Sequence, residues 1–384
     1  GAQNLAALVD TATHKAEVAL DPKQMARSYR LQAILARNAM QWEQQNIWLT
    51  KANQLPSANQ NMHLEADKLF YLGNPSTEGL EKNPGIDLEL NQARLMHALN
   101  FYKQLGNQSM IAASQFAIAQ NYSFDLARRD RALTNAIQLY RQQQLPFELA
   151  QALLYQGFYL MQLHQGEQAE QRFAEAKQIA LDLGAAPTVK IANFYLAFAA
   201  LDQGLDQSAF GLHGTNEPQL RRAIALFNQF IASKPSSDMQ ANAQVFLGWA
   251  HTDLKEYDTA LEQLSAAKAN NLELNMLTTF GYSSYSMMRI YLAQQDFDAV
   301  IDMANDLLTT RLQAVYVARA YYEKSDTDKA IQTLKQFRTK LPQMWQPEDD
   351  RRLANYQAAL TGHYSLLPEE PLAHSVYCES DWSL

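Results

Sequence analysis

With only one cysteine, Cys378, the chain can build neither an intrachain disulfide framework nor a thiolate zinc site. Fourteen glycines and twelve prolines are few for 384 residues, which argues against a turn-rich all-β protein. No stretch approaches about eighteen consecutive apolar residues, so no segment is expected to span a bilayer or insert into one. Basic residues number 32 against 40 acidic ones, and the net charge of −8 disfavours a nucleic-acid partner for this segment. The first residue is Gly1 and not Met, which suggests a mature or excised chain that has lost a signal or membrane segment.

Catalytic signatures are also missing. The eight histidines (14, 63, 97, 164, 213, 251, 363 and 374) form no H-x-H or H-E-x-x-H pair, so no metal site is expected. There is no G-x-G-x-x-G, P-loop or G-x-S-x-G, and "GLHG" at 211–214 fits none of them. Cys378 sits in an irregular tail with no base nearby in sequence, a poor setting for a nucleophile. No catalytic residue and no cofactor is therefore expected. "ARRDR" at 127–131 is read as a solvated turn, and "EDDRR" at 348–352 as helix-dipole matching with local pairing. Two sequons, "NQS" at 107–109 and "NYS" at 121–123, matter only in a eukaryotic secretory chain.

What the chain does have is a spacing of small residues that occurs twice. Gly157, Ala169 and Ala176 repeat as Gly248, Ala260 and Ala267, twelve and then seven residues apart. The surrounding text agrees over 150–183 and 241–274, with a bulky apolar residue between the alanines, Phe173 and Leu264. Small residues at these points let two antiparallel helices approach closely. A unit that cannot bury its own apolar face must stack on its neighbours. The eighth unit, at 311–344, keeps the spacing with Ala318, Ala330 and Phe337 and closes at Pro342.

Helical periodicity extends the pattern. A first unit covers 28–55 with a break at Gln41–Glu43, and a second is interrupted by turn formers from Gly73 to Gly85. A third covers 109–146; a fifth opens at "VKIANFYLAFAALDQG" and closes at "PQLRRAIALFNQFIASKP", around an insertion at 205–217. Phe210 and His213 in that insertion are candidate contacts, with a plain loop excursion as the other reading. A seventh covers 280–308, and "PEDDRRLANYQAAL" forms a capping helix with a more polar face. The remaining tail has Leu366, Leu367, Val376, Tyr377 and Trp382 without a helical period; it either lies across a neighbouring surface as an extended strip or is disordered.

These marks resemble the tetratricopeptide repeat, strongly at 150–183, 241–274 and 311–344, moderately at 280–308 and weakly before 110. The spacing departs from a strict repeat of about 34 residues because two units carry insertions. "FYKQLGN" and "IALDLGAAP" also look like the tetratricopeptide-type regions of bacterial regulatory proteins. The resemblance implies one all-α solenoid over 1–384, a right-handed α-α superhelix of about eight helical hairpins with a C-terminal capping helix. Weak repeats occupy 12–109, clearer ones 110–342, and the cap and tail 343–384.

In that family the first helix of each unit lines the concave face. The residues expected inward stand one and four positions after the small-residue mark: Phe158 and Met161, Trp249 and Thr252, Met288 and Tyr291, Arg319 and Tyr322, joined by Phe194 and Phe198. Such a groove suits an extended peptide or an amphipathic helix. Trp249 and Tyr322 are the best candidates for exposure. Each aromatic has a second reading as inter-repeat core, and Arg319 a second role as the partner of Glu323. The expected function is a non-enzymatic protein- or peptide-binding scaffold of a bacterial regulatory or envelope-associated protein, with a slight lean to the periplasm. The alternative is a small-molecule-sensing effector domain with an enclosed pocket among Phe158, Phe194, Phe198 and Trp249.

Overall fold

A computed structural model describes residues 2–38, 42–55, 62–73, 88–121, 126–163, 165–205, 215–274, 276–303 and 311–361. The insertion candidates Phe210 and His213, the turn formers at 74–85 and the tail from 362 lie outside them. Among the described residues all regular structure is helical. The helices fall into two compact groups, one up to Leu153 and one from Leu154.

The first group holds α1 (Ala2–Val18), α2 (Pro22–Asn38), α3 (Trp42–Asn53), α4 (Met62–Gly73), α5 (Leu88–Gln104), α6 (Gln108–Asn121) and α7 (Leu126–Gln142), with the start of α8 (Pro146–Gln162). α2 packs on α3, α4 on α5 and α6 on α7, while α1 lies on α2. Helix α1 begins ahead of the first repeat expected from the sequence, and it buries Val9, Thr13 and Ala16 at helical spacing. Gly73 ends α4 and is not a turn residue. A Cβ there would lie 2.7 Å from the carbonyl oxygen of Asn91 on α5, so it is a close-approach point that the sequence spacing did not mark. The "ARRDR" segment is also not a solvated turn: Arg128 to Arg131 stand in the first turns of α7, and Arg129 is buried.

The second group continues with α9 (Gly166–Asp182), α10 (Ala186–Gly204), α11 (Glu217–Ala232), α12 (Ser237–Asp253), α13 (Tyr257–Glu273), α14 (Leu277–Ala293), α15 (Phe297–Asp302), α16 (Arg311–Glu323), α17 (Thr327–Lys340), a short 3-10 turn (Pro342–Met344) and α18 (Pro347–Leu360). The small-residue marks work as expected. A Cβ on Gly157 would stand 2.6 Å from Phe173 Cδ1, and one on Gly248 would stand 2.5 Å from Leu264 Cδ2. Ala169, Ala176, Ala260 and Ala267 are fully buried with Phe173 and Leu264 between them. Each bulky side chain thus fills the space that its partner helix leaves by having no side chain.

Local signals fix the ends. Asn216, Asp296 and Asp326 accept from the backbone amides of Gln219, Ala299 and Lys329, satisfying donors that the first turn leaves open. Many turns use one residue in the left-handed region: Gly106 and Gly184, but also Gln144, Lys234, Lys255, Gln295 and Ser325. The ends of the 206–214 insertion are drawn together, since the Asn216 amide donates to the Gly204 carbonyl at 2.9 Å.

Candidate functional site

Within the second group the hairpins stack in one pattern. Second helices α9, α11, α13, α15 and α17 pack on the first helix of the next unit, and α10, α12, α14 and α16 also touch one another in sequence. The ten residues expected to face inward all belong to first helices. The structure divides them sharply.

Six of them are buried, which is the inter-repeat core reading, and for Trp249 the expected exposure is corrected. Trp249, a best candidate for exposure, is only 1% exposed, and Met161 and Met288 are fully buried. Phe194 and Phe198 are buried as well. Their rings close on Phe246 at centroid distances of 5.8 and 4.7 Å, and Trp249 meets Phe246 edge-on at 5.2 Å. The chain of rings runs on from Trp249 to Tyr285 and from Tyr285 to Tyr316, crossing from α12 to α14 to α16. Phe194 reaches back to Tyr195, which stacks on Phe173 at 5.1 Å. Burial alone holds the Tyr195 phenol well above the usual range. Thr252 is buried too, its hydroxyl donating to the Gly248 carbonyl one turn back at 2.7 Å. Phe194, Phe198 and Trp249 thus meet side chains of the next hairpin, which desolvate them.

The layer also carries polar groups that the pattern did not reveal. Trp249 Nε1 donates to Ser286 Oγ at 2.6 Å, and that hydroxyl donates to the Tyr282 carbonyl at 2.7 Å. Arg289 on α14 pairs with Asp253 on α12 at 2.9 Å, both largely buried. Where the alternative expects an enclosed pocket among Phe158, Phe194, Phe198 and Trp249, Phe246 lies against Phe194, Phe198 and Trp249, and Tyr195 against Phe158 and Phe194.

Four residues remain at least half-buried yet reachable by solvent: Phe158, Tyr291, Arg319 and Tyr322. Arg319 and Tyr322 stand together at the C-terminal end of the row. Arg319 Nε donates to Glu323 Oε1 at 2.9 Å, the pairing foreseen as its second role. Tyr322 lies 5.0 Å from the ring of Tyr356 on α18. Burial pushes the Tyr356 phenol up to about 12, and the charges of Arg319 and Arg352 partly oppose that rise.

Beneath this patch lies a buried ion cluster. Asp349, in the first turn of α18, takes two hydrogen bonds from Arg311, from Nε and Nη2, each 2.7 Å, and a third from Arg352. The "EDDRR" reading is thus half corrected: Asp349 also reaches back 38 residues to α16. Burial and the neighbouring Arg311 charge lower the Arg352 guanidinium to about 10. Only the partner of Arg352 was legible from local spacing, because Arg311 is remote in sequence.

A surface cavity of about 540 Å³ lies along α17, over Ile331, Lys335 and Thr339, and none of the ten expected residues lines it. Among the described residues no three His, Cys, Asp or Glu side chains gather as a metal site requires. None of the described helices is long and apolar enough to cross a membrane.

No protein-family model matches the chain, and no curated protein matches its sequence. Solved structures do match. A Rap protein complexed with competence and sporulation factor is similar with a TM-score of 0.52 at 16% identity, over 94% of this chain and 94% of that one. The apo form of RapI gives 0.47 at 11%, covering 88% and 99%. A signal transduction ATPase with numerous domains and a tetratricopeptide repeat sensor, from Pyrococcus horikoshii, gives 0.39 at 12%, covering 94% and 49%. At such identities the likeness is one of fold. The chain is an all-α helical-repeat protein of tetratricopeptide-like hairpins.

Proposed function

We propose that the chain is a non-enzymatic scaffold that binds a protein or peptide along its first-helix row, through Phe158, Tyr291, Arg319 and Tyr322. The observation that carries this is the Arg319–Tyr322 patch. It holds a partly exposed tyrosine, set against the ring of Tyr356, and a partly exposed guanidinium one helical turn apart, the residue types that recognition surfaces use. The similar Rap protein, seen with competence and sporulation factor, supports a partner-binding role for such a fold. A bacterial regulatory or envelope-associated setting remains part of this reading.

Photo-crosslinking tests it. A crosslinking residue at Tyr291 is expected to capture a discrete partner from a lysate of the source organism, and the same residue at exposed Gln332 on α17 is not. Arg319→Glu should reduce capture at Tyr291 at least tenfold. Equal capture at both positions, or none at Tyr291, would remove the first-helix row as the binding face.

A further inference from the structure

Helix α18 is held differently from the helices it rests on. Helix α16 buries Ala314, Val315, Val317, Ala318 and Ala320, and α17 buries Ala330, Ile331, Leu334 and Phe337. The buried residues of α18 are Asp349, Arg352, Leu353 and Tyr356, so half of what it buries is charged. Elements with few buried apolar side chains open at lower free energy than the core beneath them. The surface pair that joins α18 to α17, Arg338 with Asp350 at 3.2 Å, is more than half exposed on both sides and adds little.

Two points fasten α18 to α16. Asp349 accepts from Arg311 Nε and Nη2, and two turns further on Tyr356 meets the ring of Tyr322. Arg311 and Tyr322 stand about three turns apart, which places them on one face of α16. The same carboxylate also starts α18: the Gln346 amide donates to Asp349 Oδ2 at 3.0 Å, closing a capping box. Forming the first turn and docking on α16 thus depend on one side chain, which couples them. Without its charge, Arg311 and Arg352 are left buried without a carboxylate, and departure of α18 returns both to water.

We infer that α18 is a strap, latched by Asp349, that opens as one unit while the hairpins beneath it stay folded. Opening lifts Tyr356 off Tyr322 and frees Arg311, so the helix that carries Arg319 gains an uncovered ring. The strap then governs access to that end of the first-helix row, a consequence that rests on the binding face proposed above. The opening itself does not, and it is measured with no partner present.

The test is native-state hydrogen exchange, read by mass spectrometry, on the full chain as parent, Asp349→Asn and Trp249→Phe. Asparagine keeps the capping oxygen and loses the charge. In the parent, amides of α18 are expected to exchange faster than those of α12 and α14. Asp349→Asn should speed exchange in α18 at least about tenfold and leave α12 and α14 protected, which also shows that the variant is folded. Trp249→Phe should speed exchange in α12 and α14 and leave α18 unchanged. Exchange in α18 that keeps the parent rate in Asp349→Asn, or that follows α12 and α14 in either variant, overturns the strap. Crosslinking at Tyr291 reads the consequence, and capture should rise in Asp349→Asn. Equal capture with α18 open overturns the control of access, while no capture in parent or variant removes the binding proposal and leaves the strap to the exchange result.

Discussion

Trp249 and Arg319 stand at the same place in their hairpins, one residue after Gly248 and Ala318, yet one is sealed and the other is at the solvent. The difference lies in what comes next along the array. Trp249 is followed by α14, whose Tyr282, Tyr285 and Ser286 cover it and satisfy its ring N–H. Arg319 is followed by α18, whose Tyr356 feels its charge, yet Arg319 keeps a side chain about two-fifths exposed. Equivalent positions in a repeat share geometry within the hairpin but not the company of their neighbours.

The largest effect should come from Trp249→Ala, which opens a cavity in the ring layer and should cost about 3–5 kcal/mol in urea unfolding. Trp249→Phe keeps most of the volume and loses the bond to Ser286, so it should cost about 1–2 kcal/mol. Arg319→Ala should stay within about 0.5 kcal/mol. Similar costs for Trp249→Ala and Arg319→Ala would break the contrast. Asp349→Ala ranks close behind, at about 3–5 kcal/mol, because it leaves Arg311 and Arg352 buried without their carboxylate.

A smaller effect depends on pH. Glu170 on α9 is held below the ordinary carboxylate range, chiefly by its hydrogen bonds from Arg222 on α11. A depressed carboxylate contributes stability above its unfolded value and loses it as pH falls through the folded one. Its side chain is about a quarter exposed and that of Arg222 is more so, which limits the contribution to under about 1 kcal/mol. Titrating stability from pH 6 to pH 3 should therefore show a shallower acid loss for Glu170→Gln than for the parent. The smallest expected change is a gain of about 0.5 kcal/mol in Lys255→Gly, since Lys255 holds a left-handed turn conformation at φ 61°.

The hairpin architecture was legible because it depends on residues twelve and seven apart, and Gly157, Ala169 and Ala176 bring their own partner with them. Gly73 escaped notice because its partner, the Asn91 carbonyl, belongs to a helix with no alanine mark of its own. The candidate site was only partly legible. Helical position told which side of α12 carries Trp249, but its burial depends on a Ser-rich helix whose Ser283, Ser284 and Ser286 look like surface residues and are fully buried. The pairing of Arg319 with Glu323 was visible because it spans four residues, while that of Arg311 with Asp349 spans 38 and was not.

The hydrogen bond from the Asn216 amide to the Gly204 carbonyl has a practical consequence. It closes the excursion at its base, so α10 and α11 meet as they would if joined by a short turn. Loop-closure entropy grows only slowly with length, about 0.6 kcal/mol for each doubling. Lengthening or shortening the sequence between Gly204 and Asn216 should therefore leave the packing of α10 on α11 nearly unchanged.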